Sequence, residues 1–403
     1  MRHRIIEAFG LVLAAVAIPA AAQALSTTVN CPGESIADAL TAGFDEITVE
    51  GTCTENVEIR QDDVTIQGDG NDTVMGELFV NGARRVTIQN LTVQGDGAPG
   101  TNGIVATNDA AVTIVSAVVD GPGDHGVIAL HGASAILDQV TIRNATHGVA
   151  AEDNASVEVG NGSLIENMSD IGIRIGRGSS GVVLASTIQN NNSTGIDFDL
   201  GAGGNVIGST IQDNGATGIH VFRGASVVLD GNTIQGNPEG VSVNTHATAW
   251  LGGNTISNSS ADAEALFIGW GSAVRMIGGN TITSDGSAIF LRQGATLNQR
   301  NGDVVNGSVS VDALSDVEFR SVSISGKVEI MDHSLVRFQD QSGDPANVSV
   351  KGDISISRDS GLNFIGNFPV RVVGNIGCAD QESSFGKGTL SLKGKIKPGC
   401  TGY

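Results

Sequence analysis

Residues 195–217, GIDFDLGAGGNVIGSTIQDNGAT, and residues 218–239, GIHVFRGASVVLDGNTIQGNPE, are two consecutive copies of one pattern. Each copy begins with a glycine and an aliphatic residue, and each carries a Thr-Ile pair whose isoleucine lies about sixteen residues after that glycine. The pattern recurs about every 23 residues through the middle of the chain. A fixed period of roughly 20 to 50 residues indicates a fold of stacked repeats.

Three rows of aliphatic residues follow this period. The first row comes directly after a small residue, in the pairs Gly126-Val127, Gly148-Val149, Gly172-Ile173, Gly195-Ile196, Gly218-Ile219, Gly240-Val241, Ala265-Leu266 and Ala288-Ile289. The second row is Ile142, Ile165, Ile188, Ile211, Ile234, Ile256 and Ile282. The third row lies five residues before the second, at Leu137, Val183, Val206, Leu229, Leu251 and Ile277. Apolar and polar residues alternate around each row, which predicts three short strands per repeat.

These strands predict an all-β solenoid in which parallel strands stack coil on coil, about 4.8 Å apart. A helical repeat would need apolar residues at a spacing of about 3.6, and Gly, Asn, Thr and Ser are too frequent here to allow that. Asn144, Asn167 and Asn190 recur two residues after the isoleucine. They predict a corner with left-handed backbone and side chains that bond along the stack.

The termini and the charge indicate an exported protein. Residues 1–24 combine Arg2 and Arg4 with an apolar run and the sequence Ala22-Gln23-Ala24, which predicts a secretory signal peptide. No later apolar run is long enough to predict a membrane span. The formal charge of −21 disfavours nucleic acid and anionic membranes as partners. We expect a secreted or periplasmic protein that is a monomer, with a trimer as the alternative.

The four cysteines form two pairs, Cys31 with Cys53 and Cys378 with Cys400, each separated by the same 22 residues. Three connectivities are possible, and two local disulfides, one near each end, are the simplest in an exported protein. Each would stabilise its end by about 3 kcal/mol.

A short amphipathic helix is predicted from Glu34 to Ala42, with Ile36, Ala39 and Leu40 on one face. The first coil of a parallel stack leaves open backbone edges and exposed core. A helix at this position would cover that end.

The sequence around this helix resembles the entry segment of the pectin-lyase-like superfamily. The similar residues are Ser35-Ile36-Ala37-Asp38-Ala39-Leu40, Ile47-Thr48-Val49, Gly51-Thr52-Cys53-Thr54-Glu55-Asn56-Val57 and Val64-Thr65-Ile66-Gln67-Gly68. The resemblance covers roughly residues 33–299 and implies a right-handed parallel β-helix. It is specific for the fold and not for an activity, because the superfamily contains pectate lyases, polygalacturonases, uronan epimerases, phage tailspikes and repeat proteins without a known reaction.

The resulting organisation has four segments: a signal peptide (1–24), an N-terminal cap with the first coil (25–62), the regular parallel β-helix (63–299), and C-terminal β coils with a disulfide-closed end (300–403). In the last segment the strands keep their alternation but lose the Gly-aliphatic and Thr-Ile landmarks. We favour a continuation of the stack there over a separate cap.

Polar and charged residues are expected on the outer surface of the Gly-aliphatic strands. The residue two positions after the small residue points outward, and down the stack this outer column contains Arg174, Asp197 and His220. Asp199 lies on the same outer surface as Asp197, about 7 Å away, and Arg223 follows at the corner. Two carboxylates at roughly 6.5 to 9.5 Å suit glycoside hydrolysis with inversion. We therefore predict these five residues as catalytic.

The same surface predicts substrate-binding residues, namely Arg177, Glu152, Asn244, Phe267 and Trp270, with Phe290 in the same aromatic group. An exposed column of alternating charges can equally be a surface ladder worth under about 1 kcal/mol per pair. The aromatic residues can likewise pack under a loop. Trp250 and Met276 are expected to face outward on another side as packing residues.

Metal binding receives little support from the sequence. His125 and His147 each precede a glycine at a corner, and His131 follows the first of these strands, but no third ligand is evident. We predict no metal site of this kind. Calcium held by Asp197, Asp199 and Glu152 is the more plausible cofactor, because Ca²⁺ prefers oxygen ligands.

Two functions remain open. The first is a β-helix protein that binds polysaccharide on one outer face and cleaves it as a hydrolase or lyase. The regular coils carry no lysine that could act as a lyase base, and they lack the Asp-Asp with Gly-His-Gly of polygalacturonases and the Asp-Pro-His of mannuronan epimerases. The second is a noncatalytic structural or surface-interaction protein, for which a rigid acidic stack is sufficient.

Overall fold

The computed structural model of the 403-residue protein describes residues 24–258, 263–339, 348–365, 370–379, 384–386 and 390–397. Nearly all of the predicted signal peptide and Cys400 lie outside these residues. No helix among the described residues is long and apolar enough to span a membrane.

Each coil contributes one strand to each of three faces, and each strand pairs in parallel with the equivalent strand of the next coil. The first face carries the Gly-aliphatic strands Val57–Ile59, Leu78–Asn81, Ile104–Thr107, His125–Leu130, His147–Glu152, Ile173–Ile175, Ile196–Phe198, Thr217–Val221, Glu239–Val243, Leu266–Gly269, Val328–Ile330, Ile354–Ile356 and Ile376–Cys378. Its outer surface is the one for which the sequence predicts a functional site.

The second face carries the predicted third row. Its strands are Ser26–Asn30, Glu46–Glu50, Thr65–Gln67, Val86–Gln89, Ala111–Val115, Ser134–Asp138, Ser156–Gly160, Ser180–Leu184, Gly203–Ile207, Ser226–Asp230, Thr248–Gly252, Ala273–Gly278, Thr296–Gln299, Asp316–Phe319, Leu335–Gln339, Gly361–Ile365 and Ser384–Gly386.

The third face carries the Thr-Ile strands and their equivalents. These are Thr52–Thr54, Thr73–Met75, Thr92–Gln94, Val118–Asp120, Thr141–Arg143, Leu164–Glu166, Thr187–Gln189, Thr210–Gln212, Thr233–Gln235, Thr255–Asn258, Val322–Ile324, Ser349–Val350, Val370–Val372 and Leu390–Leu392. Two longer strands, Thr281–Arg292 and Asp303–Val311, run from the third face of one coil into the first face of the next.

The two landmarks of the repeat contact each other inside the coil. A Cβ atom added to Gly195 would lie 2.8 Å from Cγ2 of Ile211 and 2.6 Å from the carbonyl oxygen of Gly218. At Gly195 only a residue without a side chain fits between the isoleucine and the neighbouring coil, since real Cβ atoms do not approach other heavy atoms this closely. This packing explains why the glycine and the isoleucine keep a constant separation.

The predicted interior rows are buried, with one exception at residues 276 and 277. The prediction that Ile277 faces inward and Met276 outward is wrong, because Met276 is 0% exposed and Ile277 is 41% exposed. A register shift between Leu251 and Gly252 accompanies the change, and Met276 pairs with Leu251. Because side chains alternate along a strand, a shift of one residue exchanges the inner and outer positions.

The predicted asparagine corners have the expected left-handed backbone, with φ of 61° at Asn144, 60° at Asn167 and 55° at Asn190. Asn144 bonds along the stack through Nδ2 to Oδ1 of Asp120 at 2.7 Å. A longer ladder, which the sequence analysis missed, uses the residue after the corner. In this ladder Asn191, Asn214 and Asn237 are buried and bond side chain to side chain at 2.8 and 3.0 Å.

The N-terminal end is closed by a helix, Ile36–Thr41, that begins after Ser35 and is shorter than predicted. Its buried residues, Ile36, Ala39 and Leu40, are the predicted ones. The Cys31–Cys53 disulfide is formed, with the Cα atoms 5.0 Å apart. The pairing of Cys378 with Cys400 stays a prediction, since Cys400 is outside the described residues.

Beyond residue 300 the described strands continue the same parallel stack. Asp316–Phe319 pairs with Leu335–Gln339, which pairs with Gly361–Ile365. The rings of Phe319, Phe338 and Phe364 stack along this part, with centroids 5.7 Å apart at each step. Large aromatic side chains therefore fill the core where the Gly and Ile landmarks are absent.

Candidate functional site

The outer column of the first face has the predicted alignment. Arg174 pairs with Asp197, Asp197 with His220, and the column continues to Phe267 and Phe290 in later coils. The repeat period thus brings residues together that are 23 or more positions apart in sequence.

The two predicted catalytic aspartates are each bonded to a basic side chain. Oδ1 of Asp197 lies 3.0 Å from Nδ1 of His220. Asp199 accepts a bond from Nε of Arg223 at 2.6 Å, and a second, from Nη2 of the same guanidinium, makes the pair bidentate. Asp199 is only 4% exposed. Its carboxylate is therefore engaged with the guanidinium of Arg223 at the corner of the coil.

The remaining predicted basic residues are paired with carboxylates as well. Nε of Arg174 lies 3.6 Å from Glu152, and Nη1 of Arg177 lies 3.3 Å from the same carboxylate and 3.6 Å from Asp153. The proposed calcium ligands are thus each engaged with a basic side chain, Asp197 with His220, Asp199 with Arg223, and Glu152 with Arg174 and Arg177. The three carboxylates do not form a close group with each other. Calcium is not supported at this position.

A cavity of about 370 Å³ opens further along the same face. Its lining residues are His220, Glu239, Ser242, Asn244, Ala263, Glu264, Phe267, Trp270, Phe290 and Arg292. The cavity therefore contains three of the predicted substrate-binding residues, namely Asn244, Phe267 and Trp270, and one predicted catalytic residue, His220.

An aromatic group forms one wall of this cavity. The ring of Phe267 lies 5.7 Å from that of Trp270, edge to face, and 6.0 Å from that of Phe290. The guanidinium of Arg292 lies 4.9 Å from the centre of the Trp270 ring. Trp270 itself is 41% exposed, so its ring is available to a ligand. Among the polar lining residues, Nδ2 of Asn244 lies 3.4 Å from Nε2 of His220.

Two glutamates in the cavity were missed by the sequence analysis. Glu239 and Glu264 occupy the corner that precedes two consecutive first-face strands, and Glu239 accepts a bond from the hydroxyl of Thr217 at 2.8 Å. Burial raises the pKa of the Glu264 carboxyl above its ordinary value, and the negative charge of Glu239 raises it further. Both residues directly precede the small residue of the repeat, so their adjacency could have been found from the period.

A second cluster of titratable side chains lies at the same corner, several coils towards the N-terminus. Asp124, His125 and His147 place one ligating atom each within 4.8 Å of the others. Burial lowers the pKa of His125, while the charge of Asp124 opposes this shift. His131 lies at the opposite end of the strand, with Nε2 3.7 Å from Asp153.

Comparison with known families agrees with this architecture. Residues 76–222 match the family described as a right-handed beta helix region. The chain is a right-handed parallel β-helix protein. A second family, described as periplasmic copper-binding protein (NosD), matches residues 175–307. Comparison with curated proteins gives no match. The resemblance to right-handed β-helices is confirmed, and the placement in the pectin-lyase-like superfamily stays a prediction.

Several solved structures are similar to this β-helix. The A-module of the mannuronan C-5 epimerase AlgE6 from Azotobacter vinelandii is 16% identical, with 69% of this chain and 92% of that chain covered and a TM-score of 0.46. The structure of the Vag8–C1 inhibitor complex gives 12% identity, coverage of 93% and 99%, and a TM-score of 0.43. PfbA, a surface adhesin of Streptococcus pneumoniae, gives 11% identity, coverage of 90% and 88%, and a TM-score of 0.27. At these identities and TM-scores, the similarity to these structures does not indicate a function.

The described residues of the segment that matches the copper-binding family do not form a copper site. Copper is bound through His, Cys and Met side chains, and between residues 175 and 307 these are His220, His246 and Met276. His220 is bonded to Asp197, and Met276 is buried in the core. The described residues of the segment contain no close group of three His, Cys, Asp or Glu side chains.

Proposed function

We propose that this β-helix protein binds a neutral polysaccharide on its first face, in the cavity beside Phe267, Trp270 and Phe290. The observation that carries the proposal is the partly exposed aromatic wall of a cavity that the polar side chains of Asn244 and His220 also line. Pyranose rings pack their C–H faces on aromatic rings, and neighbouring polar side chains fix their orientation. A long chain can extend along the stack because the face continues from coil to coil.

The charges of the cavity favour a neutral glycan over a uronan. Glu239 lines it and would repel a uronate, and Glu264 adds to this repulsion when it is ionised. Arg174, Arg177 and Arg223 face carboxylates of the protein. Arg292 is the only arginine or lysine among the lining residues, and its guanidinium lies over Trp270. The lining residues therefore include two carboxyl groups and one guanidinium, and that guanidinium is engaged with Trp270.

Binding can be tested by calorimetry and affinity electrophoresis with xylan, β-glucan, mannan, alginate and polygalacturonate. We expect a neutral glycan to bind, and Trp270→Ala to weaken it about tenfold, because loss of an aromatic anchor costs more than about 1 kcal/mol. Trp250→Ala is a matched control, since Trp250 is 52% exposed on the second face with Arg275 5.6 Å from its ring. Equal losses in both variants, or binding of no neutral glycan, would contradict the proposal.

Hydrolysis of the bound glycan is a second candidate function, favoured by the glutamate pair. A carboxyl group with a raised pKa remains protonated closer to neutral pH and can donate a proton to the leaving oxygen, while its ionised neighbour activates water or attacks the sugar. Glu264 has the raised pKa and would be the acid, with Glu239 as the second carboxylate. This assignment replaces Asp197 and Asp199, which are engaged with His220 and Arg223.

Release of reducing ends from the bound polysaccharide tests this second function. Glu264→Gln should lower kcat about 10² to 10⁴-fold with binding retained, as expected for loss of a general acid. The rate for the wild type should fall as the pH rises through the raised pKa of Glu264. Glu158→Gln, an exposed glutamate on the second face, is the control. If no bound glycan is cleaved, the function is binding alone. If none is bound either, the noncatalytic structural alternative is favoured.

Export is part of the proposal. The predicted signal peptide and the similarity of residues 175–307 to a family described as periplasmic both support a periplasmic or secreted location.

A further inference from the structure

The corner before the strands His125–Leu130 and His147–Glu152 gathers nitrogen and oxygen donors from two neighbouring coils. Nδ1 of His125 lies 3.4 Å from Oδ2 of Asp124, and Nδ1 of His147 lies 3.7 Å from Oδ1 of the same carboxylate. The two imidazole rings stack at 4.9 Å with an angle of 20° between their planes. The Nδ1 atoms of His125 and His147 therefore both face the carboxylate of Asp124.

The imidazole of His147 is oriented for ligation. Its Nδ1 is buried and has no hydrogen-bond partner, whereas a buried polar atom normally has one. Its other nitrogen, Nε2, lies 3.3 Å from Oδ2 of Asp170. A carboxylate at Nε2 favours the tautomer with the proton on that nitrogen, which leaves the Nδ1 lone pair free to bind an ion.

We propose that Asp124, His125 and His147 form a binding site for a divalent transition-metal ion. Ligands that hold one ion at about 2.0 to 2.2 Å lie roughly 3 to 4 Å from each other. The three donor atoms here lie within 4.8 Å of one another, so small side-chain rotations close the site. Oδ1 of Asn102 lies 3.2 Å from Nδ1 of His125 and supplies a fourth donor atom at the same corner.

The donor set selects the class of ion. Two imidazole nitrogens and one carboxylate oxygen suit Zn²⁺, Cu²⁺ or Ni²⁺, whereas Ca²⁺ and Mg²⁺ prefer six or more oxygen ligands. The site lies outside residues 175–307, the segment that matches the copper-binding family. It is also separate from the aromatic cavity, so the proposal does not depend on glycan binding.

The test uses the tag-free exported chain, stripped with a chelator and titrated calorimetrically with ZnCl₂, CuCl₂ and CaCl₂. We expect one Zn²⁺ or Cu²⁺ per chain, no Ca²⁺, and a Cu²⁺ electron paramagnetic resonance spectrum with coupling to two nitrogens. Asp124→Asn and His147→Gln should abolish this binding. Asp170→Asn should weaken it about tenfold, as loss of a partner behind a ligating histidine does.

His131→Gln is the matched control, because His131 lies at the far end of the same strand with its side chain 60% exposed. It should bind metal like the wild type. Melting temperatures without metal show whether each variant is folded. The proposal is overturned if the wild type binds neither Zn²⁺ nor Cu²⁺ at one ion per chain, or if Asp124→Asn and His147→Gln, when folded, bind as tightly as the wild type.

Discussion

The corner that precedes the first-face strands carries two imidazoles at one height of the stack and two carboxylates at another. His125 and His147 lie there in consecutive coils, and Glu239 and Glu264 do so nearer the C-terminus. Each of the four residues directly precedes the small residue of the repeat. The backbone at this corner is therefore constant, while the side chain at the corner is free to vary in chemistry.

Burial acts on the two pairs in opposite directions. It lowers the pKa of His125 and raises that of Glu264, because it penalises the charged form of either group. Both changes favour a neutral side chain. A neutral imidazole can bind a metal ion, and a neutral carboxyl can donate a proton, so one corner supports two different chemistries.

The largest effect on stability is expected from substitution of the glycine that directly follows each corner, Gly148 after His147 and Gly240 after Glu239. Gly148→Ala and Gly240→Ala would place a Cβ atom 2.5 Å and 2.6 Å from Cγ2 of Ile165 and Ile256, respectively. Each should lower the free energy of unfolding by about 2 to 3 kcal/mol, since the core cannot accept the extra methyl group. Chemical denaturation measures this loss.

Gly176→Ala is the control for both variants, because an added Cβ there meets no atom within 4 Å. It should change the stability by less than about 0.5 kcal/mol. A wild-type stability for only one of the two corner variants would show that the corners do not share their packing.

A smaller effect is expected when a variant of each corner is assayed for binding of both ligands, Zn²⁺ and the glycan. Glu239→Gln should leave Zn²⁺ binding unchanged and weaken glycan binding or cleavage about tenfold, which corresponds to roughly 1.4 kcal/mol. His147→Gln should abolish Zn²⁺ binding and leave glycan binding unchanged. Calorimetry with each ligand on both variants gives the result. Loss of both ligands in either variant would mean that the two corners are coupled through the stack.

The smallest effect is expected in how the stability contributions of Glu264 and His125 depend on pH. The folded-state pKa of Glu264 is raised, so its contribution to stability is present at acidic pH and is lost as the pH rises through that pKa. The pKa of His125 is lowered, so its contribution is present above its ordinary pKa and is lost as the pH falls.

Melting temperatures of two variants measure this difference. The melting temperature of Glu264→Gln should rise by about 1 to 2 °C relative to wild type as the pH increases from about 4 to about 8. The melting temperature of His125→Gln should rise by a similar amount relative to wild type as the pH falls from about 8 to about 5. Parallel curves for both variants and the wild type would contradict the assigned shifts.

The repeat pattern predicted most of the fold because each landmark has one packing role. Gly195 and Ile211 contact each other inside a coil, so their spacing is visible in the sequence. The error at Met276 and Ile277 arose because a register shift next to Leu251 leaves no such mark. The continuation of the stack beyond residue 300 was favoured from strand alternation alone.

The candidate site was predicted less completely. The alignment placed His220, Asn244, Phe267 and Trp270 on one surface, and all four line the cavity. Asp199 was assigned to catalysis, yet it is buried against Arg223. Charged residues that are adjacent in the stack can bond to each other or face a ligand, and the repeat pattern is the same in both cases.

The sequence by itself determined that the chain forms coils, how long they are and which residues are neighbours along the stack, because steric contacts repeat with the period. The tertiary structure decided which charged side chains are paired, which lie in a cavity, and that Asp124 completes a group with His125 and His147. These outcomes depend on side-chain orientation and on depth at a corner. Neither is set by the spacing of small and aliphatic residues.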